Sequence, residues 1–140
     1  MSRYLFGGIL AALMLTAGAV QAHHSFSAEF DANKPVTLTG IVTKIEWTNP
    51  HVWFYVNVKD EKSGEMVNWG AEMGPPHGLQ RRGWRRDTLK IGEEVTVVGS
   101  MAKNGSKRMN PRSVSLTSTG ARPGETLSAA SSEGEGAAEK

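Results

Sequence analysis

Four histidines are the residues of this sequence best suited to chemistry: His23, His24, His51 and His77. The chain has no cysteine, so a bound metal ion would have to be held by histidine, methionine, carboxylate or backbone groups. His23 and His24 follow the small-residue end of an apolar segment, in the stretch VQAHHSF. Their importance therefore depends on whether the chain is cut just before them.

Residues 1–22 have the features of a secretory signal peptide. Arg3 supplies positive charge, an apolar stretch follows from Tyr4, and small residues close the segment. The apolar stretch is shorter than the ~20 residues that a membrane-spanning helix needs; a retained membrane anchor is the alternative. Cleavage is predicted after Ala22, with Ala19 as the rival site. We therefore expect an exported protein, most simply periplasmic, that begins at His23 and keeps no stable membrane anchor.

A histidine at the first position can bind one metal ion through both its ring and its free α-amine. The amine has a pKa of about 7.7–8.0, so a metal ion can displace its proton near neutral pH. A third nitrogen from another imidazole would complete a T-shaped set, which suits copper(II). His51 is the first choice for this third ligand and His24 is the second. The alternative is a solvated histidine pair left behind by processing.

The remaining sulfur and imidazole groups have simpler interpretations. Four scattered methionines are Met66, Met73, Met101 and Met109. Their thioether sulfurs could bind copper(I), but a role as gap-filling side chains in the core is favoured. For His51 the alternative role is a strand-end residue hydrogen-bonded to the preceding turn. For His77 it is exposure at the start of a helix.

The stretch RRGWRRD (81–87) concentrates positive charge. On a helix its four arginines would fall within an arc of roughly 140°, and these are Arg81, Arg82, Arg85 and Arg86. Such a face could bind an anion, an acidic partner or lipid headgroups, and a solvated basic face is the alternative. Trp84 is predicted to anchor this helix by packing. The net charge of the whole chain is only +2, which gives no support for nucleic-acid binding.

The elements that must position these residues are mostly strands. Val, Ile, Thr and aromatic residues predict five strands, over 36–47, 51–58, 65–72, 93–102 and 112–117. Pro75 and Pro76 predict the start of a short helix between the third and fourth strands. The order indicates a mainly β protein, a small five-stranded OB-like Greek-key barrel in which Gly40 bends the first strand. A five-stranded sandwich is the alternative.

The chain is accordingly divided into four parts. Residues 1–22 form the signal peptide, 23–35 an N-terminal arm and 36–119 the barrel domain. Residues 120–140 are rich in Gly, Ala, Ser and Glu, so they are predicted to be a flexible acidic tail.

Alternation along the second strand predicts two different faces. The core face holds Val52, Phe54, Val56 and Val58; the other face holds His51, Trp53, Tyr55 and Asn57. The aromatic residues Trp47, Trp53 and Tyr55 could bind a ligand, as the sheets of OB folds often do. Alternatively, the N-terminal arm covers this face with Phe26 and Phe30. That arrangement would also bring His23 near His51.

Several segments together resemble a family of small exported bacterial proteins of unknown function. They are HHSFSAEFD, KPVTLTGIVTKIEWTNPHVWFYV, VNWGAEMG, RRGWRRDTLKIGEEVTVVG and NPRSVSL. The resemblance spans about residues 23 to 117 and implies an OB-like barrel and a periplasmic location. It also implies that His23, His24 and His51 are recurrent, whereas His77 departs from the asparagine of the family pattern. No activity follows from it.

Three classes of function remain in view. The leading hypothesis is a periplasmic copper-handling protein that uses His23, His51 and His24, with a copper donor or acceptor as partner. The second is a binding module without metal that holds an anionic ligand or partner on its barrel or on the arginine cluster. The third is an enzyme, such as an oxidative copper enzyme, which is disfavoured because no Ser/His/Asp or paired-carboxylate pattern is present.

Overall fold

The computed structural model describes residues 26–117 and 126–128. Its helices are α1 (Phe26–Glu29) and α2 (Pro76–Arg81). Its strands are β1 (Phe30–Glu46), β2 (Trp53–Lys59), β3 (Met66–Glu72), β4 (Glu94–Ala102), β5 (Arg108–Leu116) and β6 (Thr126–Ser128). No helix in these two ranges is both long and apolar enough to cross a membrane.

The strands form one sheet that closes on itself. Their order is β3-β2-β1-β4-β5-β6, and β3 also pairs in parallel with β5 through Gly70 with Arg108 and Ala71 with Met109. This pairing joins the first five strands into a ring with α2 between β3 and β4. The predicted mainly β, OB-like architecture with one short helix at that place is confirmed.

Strand β1 is long because it pairs with two different strands along its length. It pairs with β4 from Phe30 to Ile41 and with β2 from Gly40 to Glu46, so Gly40 takes part in both ladders. A Cβ atom at Gly40 would lie 2.2 Å from the backbone oxygen of Asn57, a distance that no side chain can occupy. Gly40 is thus required because β1 and β2 approach each other too closely there for a side chain. The irregularity of this ladder, a register shift, lies between Val42 and Lys44.

The core fills the inside of the ring and the space under α2. Strand β2 and Val52 just before it contribute alternate residues, since Val52, Phe54 and Val56 are fully buried while Trp53 and Tyr55 are not. Trp84, 1% exposed, and Leu89 belong to the same cluster and attach the segment that follows α2. The two predicted faces of β2 and the anchoring role of Trp84 are confirmed.

Several strand boundaries differ from those predicted: β5 begins at Arg108 rather than residue 112, and strands also occupy parts of the predicted arm and tail. Strand β1 begins at Phe30, inside the segment predicted as an arm, and a register shift between Asp31 and Pro35 accommodates the polar stretch there. Strand β6 lies within the segment predicted as a tail and pairs with β5 through Val114 and its neighbours. The polar composition of both stretches conceals short strands that depend on neighbours distant in sequence.

Candidate functional site

His51 lies at the entrance to β2, directly after the cis peptide bond between Asn49 and Pro50. Its side chain is 28% exposed. The backbone beside it is fixed, because the amide of Val52 donates to the carbonyl of Gly74 at 3.1 Å and Met73 donates back to Val52 at 2.8 Å. The imidazole is therefore held at the rim of the ring of strands, within reach of solvent.

Glu72 orients the His51 ring. Nδ1 of His51 lies 2.6 Å from Oε1 of Glu72, whose side chain is 9% exposed. A carboxylate can only accept in this pair, so Nδ1 carries a proton, and in the neutral form of this ring Nε2 is the nitrogen with the free lone pair. A histidine held in this way by a carboxylate is a common arrangement behind metal-binding imidazoles.

Glu72 is itself held from two further sides. Nη2 of Arg108 donates to Oε2 of Glu72 at 3.0 Å, and the side-chain amide of Asn110 donates to the backbone oxygen of Glu72 at 2.8 Å. Asn110 is 2% exposed. The parallel pairing of β3 with β5 places these partners beside Glu72. The carboxylate thus has little freedom, and neither has the ring bonded to it.

Arg108 connects this pair with the start of the described chain. Its guanidinium lies 4.9 Å from the ring centre of Trp53 and 5.9 Å from that of Phe30. A second contact joins Arg108 to Oε2 of Glu29 at 3.5 Å. The arm residues 26–30 therefore lie next to the His51–Glu72 pair.

The backbone and an aromatic stack hold α1 in this position. The amide of Lys103 donates to the carbonyl of Glu29 at 2.8 Å, and the Lys103 ammonium bonds to the carbonyl of Ser27. The rings of Phe26 and Phe30 stack with centres 5.8 Å apart. Phe30 covers one side of the Arg108 guanidinium, so the arm reaches the aromatic face through this arginine.

The aromatic residues do not form one open platform. Trp53 and Tyr55 stack at 6.3 Å, with Arg108 over Trp53 and the Lys44 ammonium 5.3 Å from the centre of the Tyr55 ring. Trp47 lies elsewhere, where it lines a small apolar pocket together with Trp84, Leu89 and other core residues. The predicted set of Trp47, Trp53 and Tyr55 is thus divided, and cations of the protein itself lie over Trp53 and Tyr55.

Tyr55 donates from its hydroxyl to Oε2 of Glu46 at 3.0 Å, and Glu46 also contacts Lys44 at 2.5 Å. Partial burial and the neighbouring Glu46 carboxylate raise the pKa of Tyr55 above its usual value. The hydrogen bond from Lys44 is the main cause that lowers the pKa of Glu46. The carboxylate is therefore ionised under all mild conditions and disfavours a second negative charge on Tyr55.

We expect tyrosinate in the folded protein to form only above the pH of about 10 at which free tyrosine ionises. A chain that starts at His23 contains Tyr55 as its single tyrosine, so ultraviolet absorbance would follow this group alone. Glu46→Gln should lower the midpoint while burial keeps it above that of free tyrosine. A midpoint at or below the free value would contradict the described environment.

The arginine cluster is not a single helix face. Helix α2 ends at Arg81, and Gly83 takes a φ of 91°, which only glycine adopts readily. The prediction that one helix carries all four arginines is wrong, because this glycine breaks the helix before Arg85 and Arg86. All four arginine side chains are nevertheless exposed. The positive charge is therefore displayed from a helix end and the loop that follows it.

Only part of the predicted metal set lies within the described residues. His23 and His24 lie outside them, and His77 is exposed on α2. Within residues 26–117 and 126–128, no group of three or more His, Asp or Glu side chains is arranged to hold a metal ion. Met73 and Met109 are fully buried in the core, as expected for gap-filling side chains, and Met101 packs against it. The same expectation is wrong for Met66, which is 58% exposed.

Sequence analysis missed the residues that support His51. Glu72, Arg108 and Glu29 come from three distant parts of the chain, and ring closure together with the docking of α1 brings them together. The one available signal was Glu72 itself, a carboxylate at the end of an otherwise apolar strand. Without the pairing register, nothing identified His51 as its partner.

The chain belongs to a family of unknown function, DUF6152, whose model matches residues 11–110. This confirms the resemblance to a family without an assigned activity. No curated protein is significantly similar to the chain.

Proposed function

We propose that this protein is exported to the periplasm, begins at His23 after cleavage, and binds one copper ion for handling or buffering copper. The amine and ring of His23 would chelate the ion, and His51 would add a third nitrogen through Nε2. His24 is the alternative third ligand. Copper(II) suits such a tetragonal set of nitrogen ligands.

The observation that carries the proposal is the bond between His51 Nδ1 and the buried carboxylate of Glu72. It holds the tautomer that a metal ligand needs and leaves Nε2 as the coordinating atom. A purely structural histidine at a turn would be expected to bond to that turn. His51 instead bonds to Glu72 on the neighbouring strand β3, and its side chain stays 28% exposed.

The docking of α1 supplies the second support. Glu29 and Phe30 contact Arg108, and Arg108 contacts Glu72, which holds His51. His23 precedes Phe26 by three residues, and an extended chain of that length spans about 10 Å. A chain of this length would allow the histidine pair to reach the contacts that surround His51. The partner in this proposal is a periplasmic protein that donates copper to this chain or accepts copper from it.

Copper(II) titration of the processed chain, followed by EPR, tests the proposal. We expect tight binding of one ion with several nitrogen ligands. A matched chain with one additional alanine before His23 should lose the amine nitrogen, because the amine no longer belongs to the histidine. Equal spectra and affinities for the two chains would refute the N-terminal chelate.

The alternative function, a module that binds an anionic ligand without metal, is favoured by one observation. Arg85 and Arg86 line the same pocket as Trp47 and Trp84, so positive charge adjoins an apolar surface. Val52, the chain neighbour of His51, also lines this pocket.

A further inference from the structure

The segment formed by α2 and the loop that leads from it toward β4 combines dense positive charge with an exposed apolar tip. From residue 76 to residue 91 it carries five basic side chains and one acidic one, Asp87. The basic residues Arg81, Arg82, Arg85, Arg86 and Lys90 are all exposed. Positive charge of this density attracts an anionic surface over roughly a Debye length.

Ile91 lies at the outer end of this segment. It is 69% exposed, the largest value among the large hydrophobic side chains of the described residues. An exposed isoleucine by itself needs no explanation. Ile91 directly follows Lys90 and is close in sequence to four arginines. Segments that bind membrane surfaces combine cations with aliphatic side chains in this way.

The segment is ordered rather than loose. Trp84 and Leu89 are buried in the core on either side of the Arg85–Arg86 pair. The amide of Arg85 donates to the Thr88 hydroxyl at 2.7 Å, and Thr88 donates back to the Arg85 carbonyl at 3.1 Å. The arginines are therefore displayed from a fixed backbone, and ordering them on a partner costs little backbone entropy.

The turn that presents Ile91 is fixed in the same way. The amide of Gly92, with a φ of 91°, donates to the carbonyl of Val42 at 2.8 Å. The amide of Lys90 donates to the Glu93 carboxylate at 2.9 Å, so this nearby negative charge is used inside the turn. The aliphatic side chain of Ile91 thus projects from a rigid turn attached to β1.

We propose that this segment docks the protein onto an anionic phospholipid surface. The arginines and Lys90 contact the headgroup phosphates, and Ile91 enters the boundary between headgroups and acyl chains. A soluble anion would use the cations but not the aliphatic tip, so Ile91 favours a membrane as the partner. The proposal is independent of copper binding and concerns a different part of the chain.

Co-sedimentation of the chain that starts at His23 with phospholipid vesicles tests this proposal. We expect binding to vesicles that contain phosphatidylglycerol, little binding to pure phosphatidylcholine, and release by salt. Each arginine near an anionic surface contributes about fivefold to partitioning. Replacing Arg81, Arg82, Arg85 and Arg86 by glutamine should therefore weaken binding by up to several hundredfold, and by at least about tenfold.

Two matched controls distinguish vesicle binding by this segment from binding that depends only on net charge or on exposed apolar side chains. Glutamine at Lys34, Lys59, Lys62 and Arg112, all exposed elsewhere on the chain, removes the same charge and should weaken binding less than the arginine variant. Ile91→Ser should weaken vesicle binding several-fold, whereas Met66→Ser, at a side chain that is 58% exposed, should not. These single surface changes do not touch the core, so they remain informative if the fourfold arginine variant fails to fold.

Three results would overturn the proposal. The first is equal binding to anionic and zwitterionic vesicles, or none to either. The second is an equal loss from the remote charge variant, which would assign binding to net charge. The third is competition by soluble polyphosphate together with full binding by Ile91→Ser, which would identify a soluble polyanion as the partner.

Discussion

His51→Ala should reduce the copper(II) affinity of the processed chain by at least about 100-fold. The change removes one of three proposed nitrogen ligands, and loss of a residue behind a ligand already costs 10–100-fold in typical sites. Competition titration against a chelator of known affinity would measure the loss. EPR should show one nitrogen fewer on the ion.

Two further variants make this experiment specific. Glu72→Gln keeps the shape of the side chain but removes the carboxylate that holds His51 Nδ1 at 2.6 Å. It should therefore give an intermediate loss of about 10–100-fold. His77 is an exposed residue of α2, so His77→Ala should leave the copper(II) affinity unchanged. Equal affinities for the His51 and His77 variants would remove His51 from the proposed site.

Trp84→Ala should lower the free energy of unfolding by about 3–5 kcal/mol, the usual cost of truncating a buried aromatic side chain. Trp84 is 1% exposed and packs in the cluster that includes Leu79 and Leu89. Since small domains are stable by only 5–15 kcal/mol, the change removes a large part of the total. Urea denaturation followed by circular dichroism would measure it.

Trp47→Ala is the matched control for this prediction. Trp47 lines the same pocket but is only partly buried and packs at the edge of the core. Its truncation should lower the free energy of unfolding by clearly less than the truncation of Trp84 does. A larger cost at Trp47 would mean that the segment after α2 contributes little to the stability of the fold.

Local sequence patterns were sufficient to predict those features in which a residue's environment depends only on its own strand or helix. The alternation of Val52, Trp53, Phe54 and Tyr55 correctly separated the core face of β2 from its outer face. The helix after Pro75 was also placed correctly, because proline fixes the backbone at the first helical turn. These features depend on periodicity and stereochemistry, both of which are visible in a short window of sequence.

Other features depended on contacts that a short window does not contain. The helical arc of arginines assumed that Gly83 would stay helical, but a positive φ at that residue ends the regular backbone. The candidate site shows the same limit. His51 was identified by its type and position. Glu72 became its partner through the antiparallel pairing of β2 with β3, and Arg108 reached Glu72 through the parallel pairing of β3 with β5.

Strand β6 has a consequence for how copies of this protein meet one another. The pairing with β3 occupies β5 only near Arg108 and Met109, while β6 covers the stretch from Ser113 to Ser115. An uncovered strand edge offers amide and carbonyl groups to any other extended chain and promotes aggregation. The three residues Thr126–Ser128 take up that stretch within the same molecule. A short piece of a polar C-terminal segment thus limits intermolecular sheet extension at β5.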